Sequence, residues 1–101
     1  MSDTQMPLPP ATFEFLVYSF KMQAEVQLGL LKIEEDAKPD LNLARHTIDL
    51  LAMLQDKTRG NLSLDEQRLV ENSLTELRYR FVQALQEQAS QGQVKSEEHT
   101  A

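Results

Sequence analysis

The sequence predicts an all-α protein, a three-helix bundle whose second and third helices form a tight antiparallel hairpin. Three observations carry this. Apolar residues recur at i, i+3, i+4 and i+7 in three separate stretches, and no stretch alternates with the period of a strand. The stretch Lys57-Thr58-Arg59-Gly60-Asn61-Leu62-Ser63-Leu64-Asp65-Glu66 reads as the end of one helix, a turn and the start of the next. Finally, 101 residues allow one core, near the size at which a lone monomer is marginal.

In that stretch Gly60 suits the left-handed residue that closes a helix, and Lys57 and Arg59 favour the dipole of the last turn. Beyond Asn61, Leu62 stands where an apolar residue folds back over the finished helix. Ser63 and Glu66 match the S-x-x-E capping box, which satisfies two backbone N–H groups at the next helix start. So short a link forces its helices to lie side by side, antiparallel.

Residues 1–11 hold Pro7, Pro9 and Pro10 without periodicity and are expected to form a flexible arm. The first helix is expected over about residues 12–31, capped by Thr12. One stripe runs Leu16, Val17, Phe20, Ala24, Leu28 and Leu31, and a second beside it runs Phe15, Met22, Val26, Leu30 and Ile33. Only a narrow line stays polar, at Glu14, Lys21, Glu25 and Lys32, so this helix is apolar over more of its circumference than one neighbour covers. Gly29 weakens its end by about 1 kcal/mol relative to Ala, so the helix either stops near it or runs on to Ile33.

Residues 34–40 read as the connection, with Pro39 disfavouring helix at Lys38 and Asp40 a good N-cap. The second helix is expected over 41–58, with Leu41, Ala44, Ile48, Leu51 and Gln55 as its core stripe, flanked by Leu43, Leu50 and Leu54. Arg45, His46, Asp49, Met53 and Asp56 occupy the opposite face. Arg45 and Asp49, four apart, are spaced for an intrahelical pair. The third helix is expected over 64–89, where Val70, Leu74, Leu77, Phe81, Ala84 and Gln88 follow the 4-3-4 spacing of a coiled-coil-like seam. At about 38 Å against about 27 Å it overhangs the second helix, so its last turns need another partner. The polar, aperiodic residues 90–101 read as a disordered tail.

These residues carry a resemblance. Ala44-x-x-x-Ile48-Asp49-x-Leu51-x-Met53-Leu54, then Lys57-Thr58-x-Gly60-Asn61-Leu62 and Leu77-Arg78, with a first helix ending in Leu28-Gly29, resemble the bacterial domain of unknown function 1844 family over about residues 13–82. The resemblance implies a small bacterial helical protein and transfers no catalytic residue and no cofactor.

Composition narrows the chemistry. The chain has no Cys, which excludes disulfides, thiolate metal sites and Cys nucleophiles. The N-terminus lacks a basic n-region, and Glu14 and Lys21 break the first apolar run, so neither a signal peptide nor a membrane span is expected. The expected location is cytoplasmic. A net charge of −6 disfavours a nucleic-acid or anionic-membrane surface.

The individual candidates fit bland roles. His46 and Asp49 share a helical face, yet the Glu-x-x-His of helical di-metal sites is absent, because Leu43 precedes His46 by three. Lys57-Thr58-Arg59-Gly60-Asn61 lacks the strand and leading glycines of a phosphate loop, and a helix cap explains each residue. Ser19, Ser63 and Ser73 have no elbow sequence and no partner His. Glu34-Glu35-Asp36 sits in a solvated connection. Lys57, Arg59, Arg68, Arg45, Arg78 and Arg80 have acidic neighbours, and Tyr79 is the one aromatic among them.

What remains is the surplus stripe Phe15, Met22, Val26 and Leu30, with Met53 adding to it. Exposed apolar surface on a small protein points to association, and two-fold homodimers are its commonest form. The expectation is therefore a non-enzymatic interaction or structural protein, dimeric or bound to another protein. A nucleic-acid-associated regulator using Lys57, Arg59, Arg68 and Arg80 is an alternative, and so is a small-molecule or metal-binding protein around His46 and Asp49.

Overall fold

The computed structural model describes the backbone of residues 7–31, 34 and 37–100, and the side-chain surroundings of those up to Ser90. Three helices occur among the described residues: α1 (Phe13–Gln27), α2 (Leu41–Lys57) and α3 (Leu64–Thr100), each packed against the other two. No strand occurs among the described residues.

Each start is fixed by a side chain that satisfies a free backbone N–H group. Phe15 N–H donates to Thr12 Oγ1 at 3.0 Å, and Leu43 N–H donates to Asp40 Oδ1 at 3.1 Å. At α3 the capping box closes in both directions. Glu66 N–H donates to Ser63 Oγ at 3.1 Å, and Ser63 N–H donates to Glu66 Oε1 at 2.8 Å. Substituting Ser63→Ala is expected to lose about 1 kcal/mol, read as a lower urea midpoint at unchanged m-value. An unchanged midpoint would mean that packing alone holds the start of α3.

The two internal ends use glycine differently. α1 stops at Gln27, short of the expected end near residue 31, because Gly29 turns left-handed at φ +86°. Gly29 N–H bonds to the Val26 carbonyl at 3.0 Å and Leu30 N–H to the Glu25 carbonyl at 2.8 Å, which together form a Schellman motif. The apolar pattern therefore outlasts the helix, and Leu30 and Leu31 lie in the turn. After α2, Gly60 takes φ +88° inside a turn closed by Asn61 N–H on the Thr58 carbonyl at 2.9 Å. Leu62 then folds back, half-buried, against the core.

The connection after α1 is pinned at both ends. Asp40 N–H donates to the Gln27 carbonyl at 2.8 Å, and the Pro39 ring packs on Gly29, so closely that a Cβ at Gly29 would meet Pro39 Cγ at 2.9 Å.

The core consists of Val17, Ala24 and Leu28 from α1 and its cap, Leu41, Ala44, Ile48 and Leu51 from α2, and Val70, Leu74 and Leu77 from α3. Phe13, Phe20, Phe81 and Ala84 pack against it, partly buried. Two polar residues join them: Thr47 is 1 % exposed and Ser73 2 %. The Thr47 hydroxyl donates to Gln27 Oε1 at 2.6 Å and lies 3.1 Å from the Leu43 carbonyl, so burial leaves it satisfied. Near the turn, Gln55 lines one small cavity with Gln67 and Glu71, whereas Leu41 and Arg45 share a cleft with Phe81 and Leu85.

Two expectations need correction here. Leu16 and Leu31, in the first apolar stripe with the buried Val17, Ala24 and Leu28, are 42 % and 43 % exposed. The third helix does not end near Ala89: its backbone is helical to Thr100, where the tail was expected to be disordered. No proline interrupts residues 89–100, and the Gln, Glu, Lys and Ala among them are good helix formers. The molecule consequently measures 61 Å along its longest axis.

Candidate interaction face

α1 turns its charge inward. Its three charged residues, Glu14, Lys21 and Glu25, are all half-buried, whereas its exposed residues are Phe15, Leu16, Tyr18, Ser19, Met22 and Gln23. A helix lying on a bundle ordinarily does the opposite, with its charged side chains on the solvent arc. Lys21 accounts for part of the inversion: its Nζ lies 3.2 Å from Glu76 Oε1 on α3, and its side chain is 26 % exposed. With Val17, Ala24 and Leu28 in the core and Lys21 held against α3, the remaining arc faces outward.

On that arc Phe15 is 45 % exposed, Tyr18 52 % and Met22 59 %. Val26 lies half-buried at its edge. Of the four residues expected to form the interface, Phe15, Met22 and Val26 thus share the outer side of α1. Leu30 does not: it follows the left-handed Gly29 and lines a cleft of about 460 Å³ with Leu28, Pro39, Arg80, Ala84 and Glu87. Ile33 lies outside the described residues. Leu16 and Tyr18 were missed, though a signal existed, because at 100° per residue Tyr18 falls about 40° from Met22.

α2 also leaves apolar side chains in solvent. Thr47 meets Gln27 of α1, and Leu43 sits one turn before Thr47 on the same side of its helix, 44 % exposed. Met53, expected on the outer face of α2, is 47 % exposed.

The other candidates are dispersed. His46 and Asp49 are both exposed, and no group of three His, Cys, Asp or Glu able to hold a metal occurs among the described residues. Arg45 and Asp49 do not close the expected pair, whereas Arg59 Nη2 lies 3.2 Å from Asp56 Oδ1 at the hairpin turn. Arg45, Lys57, Arg68, Arg78 and Arg80 are exposed on two helices. None of the described helices is long and apolar enough to cross a membrane. Ser63, Glu66, Gly60, Asn61 and Leu62 are fully used in the cap and turn.

No curated protein and no solved structure matches the chain. A family model does, over residues 10–83, which take in α1, α2 and the first half of α3. With the motif residues of the α2–α3 turn and the buried core of all three helices inside that span, the chain belongs to the DUF1844 family, described as a domain of unknown function.

Proposed function

We propose that this protein is a non-enzymatic interaction or structural module of the bacterial cytoplasm, which binds another protein surface through the exposed face of α1. α2 and α3 form an antiparallel hairpin behind that face. The shared cavity of Gln55 with Gln67 near the turn, and of Leu41 with Phe81 far from it, supports the hairpin.

One observation carries the functional reading: every exposed residue of α1 is uncharged and every charged residue of α1 is half-buried. Leaving Phe15, Tyr18 and Met22 in water forfeits about 25 cal/mol for each Å² of apolar surface left uncovered. Contiguous apolar surface of this kind marks a site of association.

The test is solution mass by light scattering on the wild type and on Met22→Glu. Met22 is the most exposed large apolar residue of α1, so the substitution leaves the core untouched. The expected result is an associated wild type and a folded variant of half its mass, with unchanged far-UV dichroism. An associated state that survives Met22→Glu would remove α1 from the interface.

A further inference from the structure

The α1 face carries its own register. Phe15, Ser19, Met22 and Val26 fall within about 60° of one another on the helix and are spaced 4-3-4. That spacing is the seam of a two-helix coiled coil, and it reads the same in both directions. A row of this kind is self-complementary about its midpoint, between Phe20 and Lys21. A two-fold axis through that point sets Phe15 against Val26 of a second copy and Ser19 against its Met22. Such reciprocity is what an isologous interface requires.

Resting on the reading of α1 as an interaction face, we propose that the occupant of this face is a second copy of the same chain, with the two α1 helices packed antiparallel about Ser19 and Met22. Three features support that occupant and that direction. First, a chain of net charge −6 repels its own copy, and the described arc of α1 is free of charge. Second, antiparallel pairing sets large against small in each layer, Phe15 on Val26 and Met22 on Ser19. Parallel pairing would stack Phe15 on Phe15 and leave Ser19 facing Ser19, a bulge next to a void. Third, antiparallel helices oppose their macrodipoles.

Size is consistent with this arrangement. The row is about 17 Å long, and a standard interface takes about 800 Å² from each partner. The row is too short to supply that alone, and the exposed Leu16 and Tyr18 on its flanks widen it.

The chain contains no Cys, so introduced cysteines report on the register without background. Single variants Phe15→Cys and Val26→Cys are oxidised separately and as an equimolar mixture, after dichroism confirms that both fold. Antiparallel pairing predicts a disulfide-linked dimer in the mixture and none in either variant alone. Like positions then lie about 17 Å apart along the axis, far beyond the roughly 7 Å that a disulfide spans between Cα atoms.

Linkage in Phe15→Cys alone, with a dimer that Met22→Glu still splits, overturns the antiparallel register and leaves the α1 reading intact. A wild type that stays monomeric at every concentration, with no linkage in the mixture, overturns the second copy as occupant. A dimer that Met22→Glu does not split overturns the α1 reading itself.

Discussion

Leu51→Ala is expected to cost about 2–5 kcal/mol, a large share of the roughly 5–15 kcal/mol that holds a small domain together. Leu51 is completely buried, in a cluster to which all three helices contribute. Removing its branched end loses the transfer free energy of the deleted carbons and leaves a cavity that three packed helices cannot collapse together. Urea unfolding followed by dichroism measures the effect. Met53→Ala is the matched control: it lies two residues along the same helix and is 47 % exposed, so it should stay within about 0.5 kcal/mol of the wild type. Equal costs at the two positions would mean that α2 does not present Leu51 to the core.

Gly29→Ala is expected to cost about 2–5 kcal/mol, from two sources that can be separated. The left-handed backbone at φ +86° penalises any Cβ by about 1–2 kcal/mol. The new Cβ would also stand 2.9 Å from Pro39 Cγ, and relieving such crowding adds about 1–3 kcal/mol. Pro39 cannot retreat easily, because the next residue, Asp40, is tied by its N–H to Gln27 and by its carboxylate to the N-terminus of α2. Gly60→Ala isolates the first source: φ is +88° there, but nothing lies within 4 Å of the added atom, so about 1–2 kcal/mol is expected. Adding Pro39→Ala to Gly29→Ala should recover the crowding part, and a double-mutant cycle measures it. The account fails if Gly29→Ala is no more costly than Gly60→Ala.

Local chemistry was legible in the sequence, and tertiary chemistry was not. Thr12, Asp40, Ser63 and Glu66 act as caps because a cap needs only its own next few residues. Gly60 could likewise be read from its place between two apolar patterns. Gly29 was ambiguous for a definite reason: Leu30 and Leu31 continue the apolar period past the point where the backbone leaves the helix. Thr47 was missed because it is polar, although it sits between Ala44 and Leu51 in the buried row, and only the Gln27 side chain from another helix makes its burial tolerable. Lys21 stands in the narrow polar line of the first helix. Its pairing with Glu76 depends on how α1 rolls against α3, which no local pattern encodes. That roll also decided the candidate face, because it brought Leu16 and Tyr18 into the exposed arc with Phe15 and Met22.

The bond from Asp40 N–H to the Gln27 carbonyl, with Pro39 seated on Gly29, works as a clasp. It brings the end of α1 to the start of α2 whatever the chain does in between. The angle between the two helices then rests on this clasp rather than on the number of residues that join Leu31 to Pro39. Lengthening a loop is cheap, about 0.6 kcal/mol for each doubling. A guest peptide, such as an epitope or a fluorophore-labelling tag, inserted before Pro39 is therefore expected to leave both helices aimed as they are, giving a handle on the molecule that leaves the α1 face free.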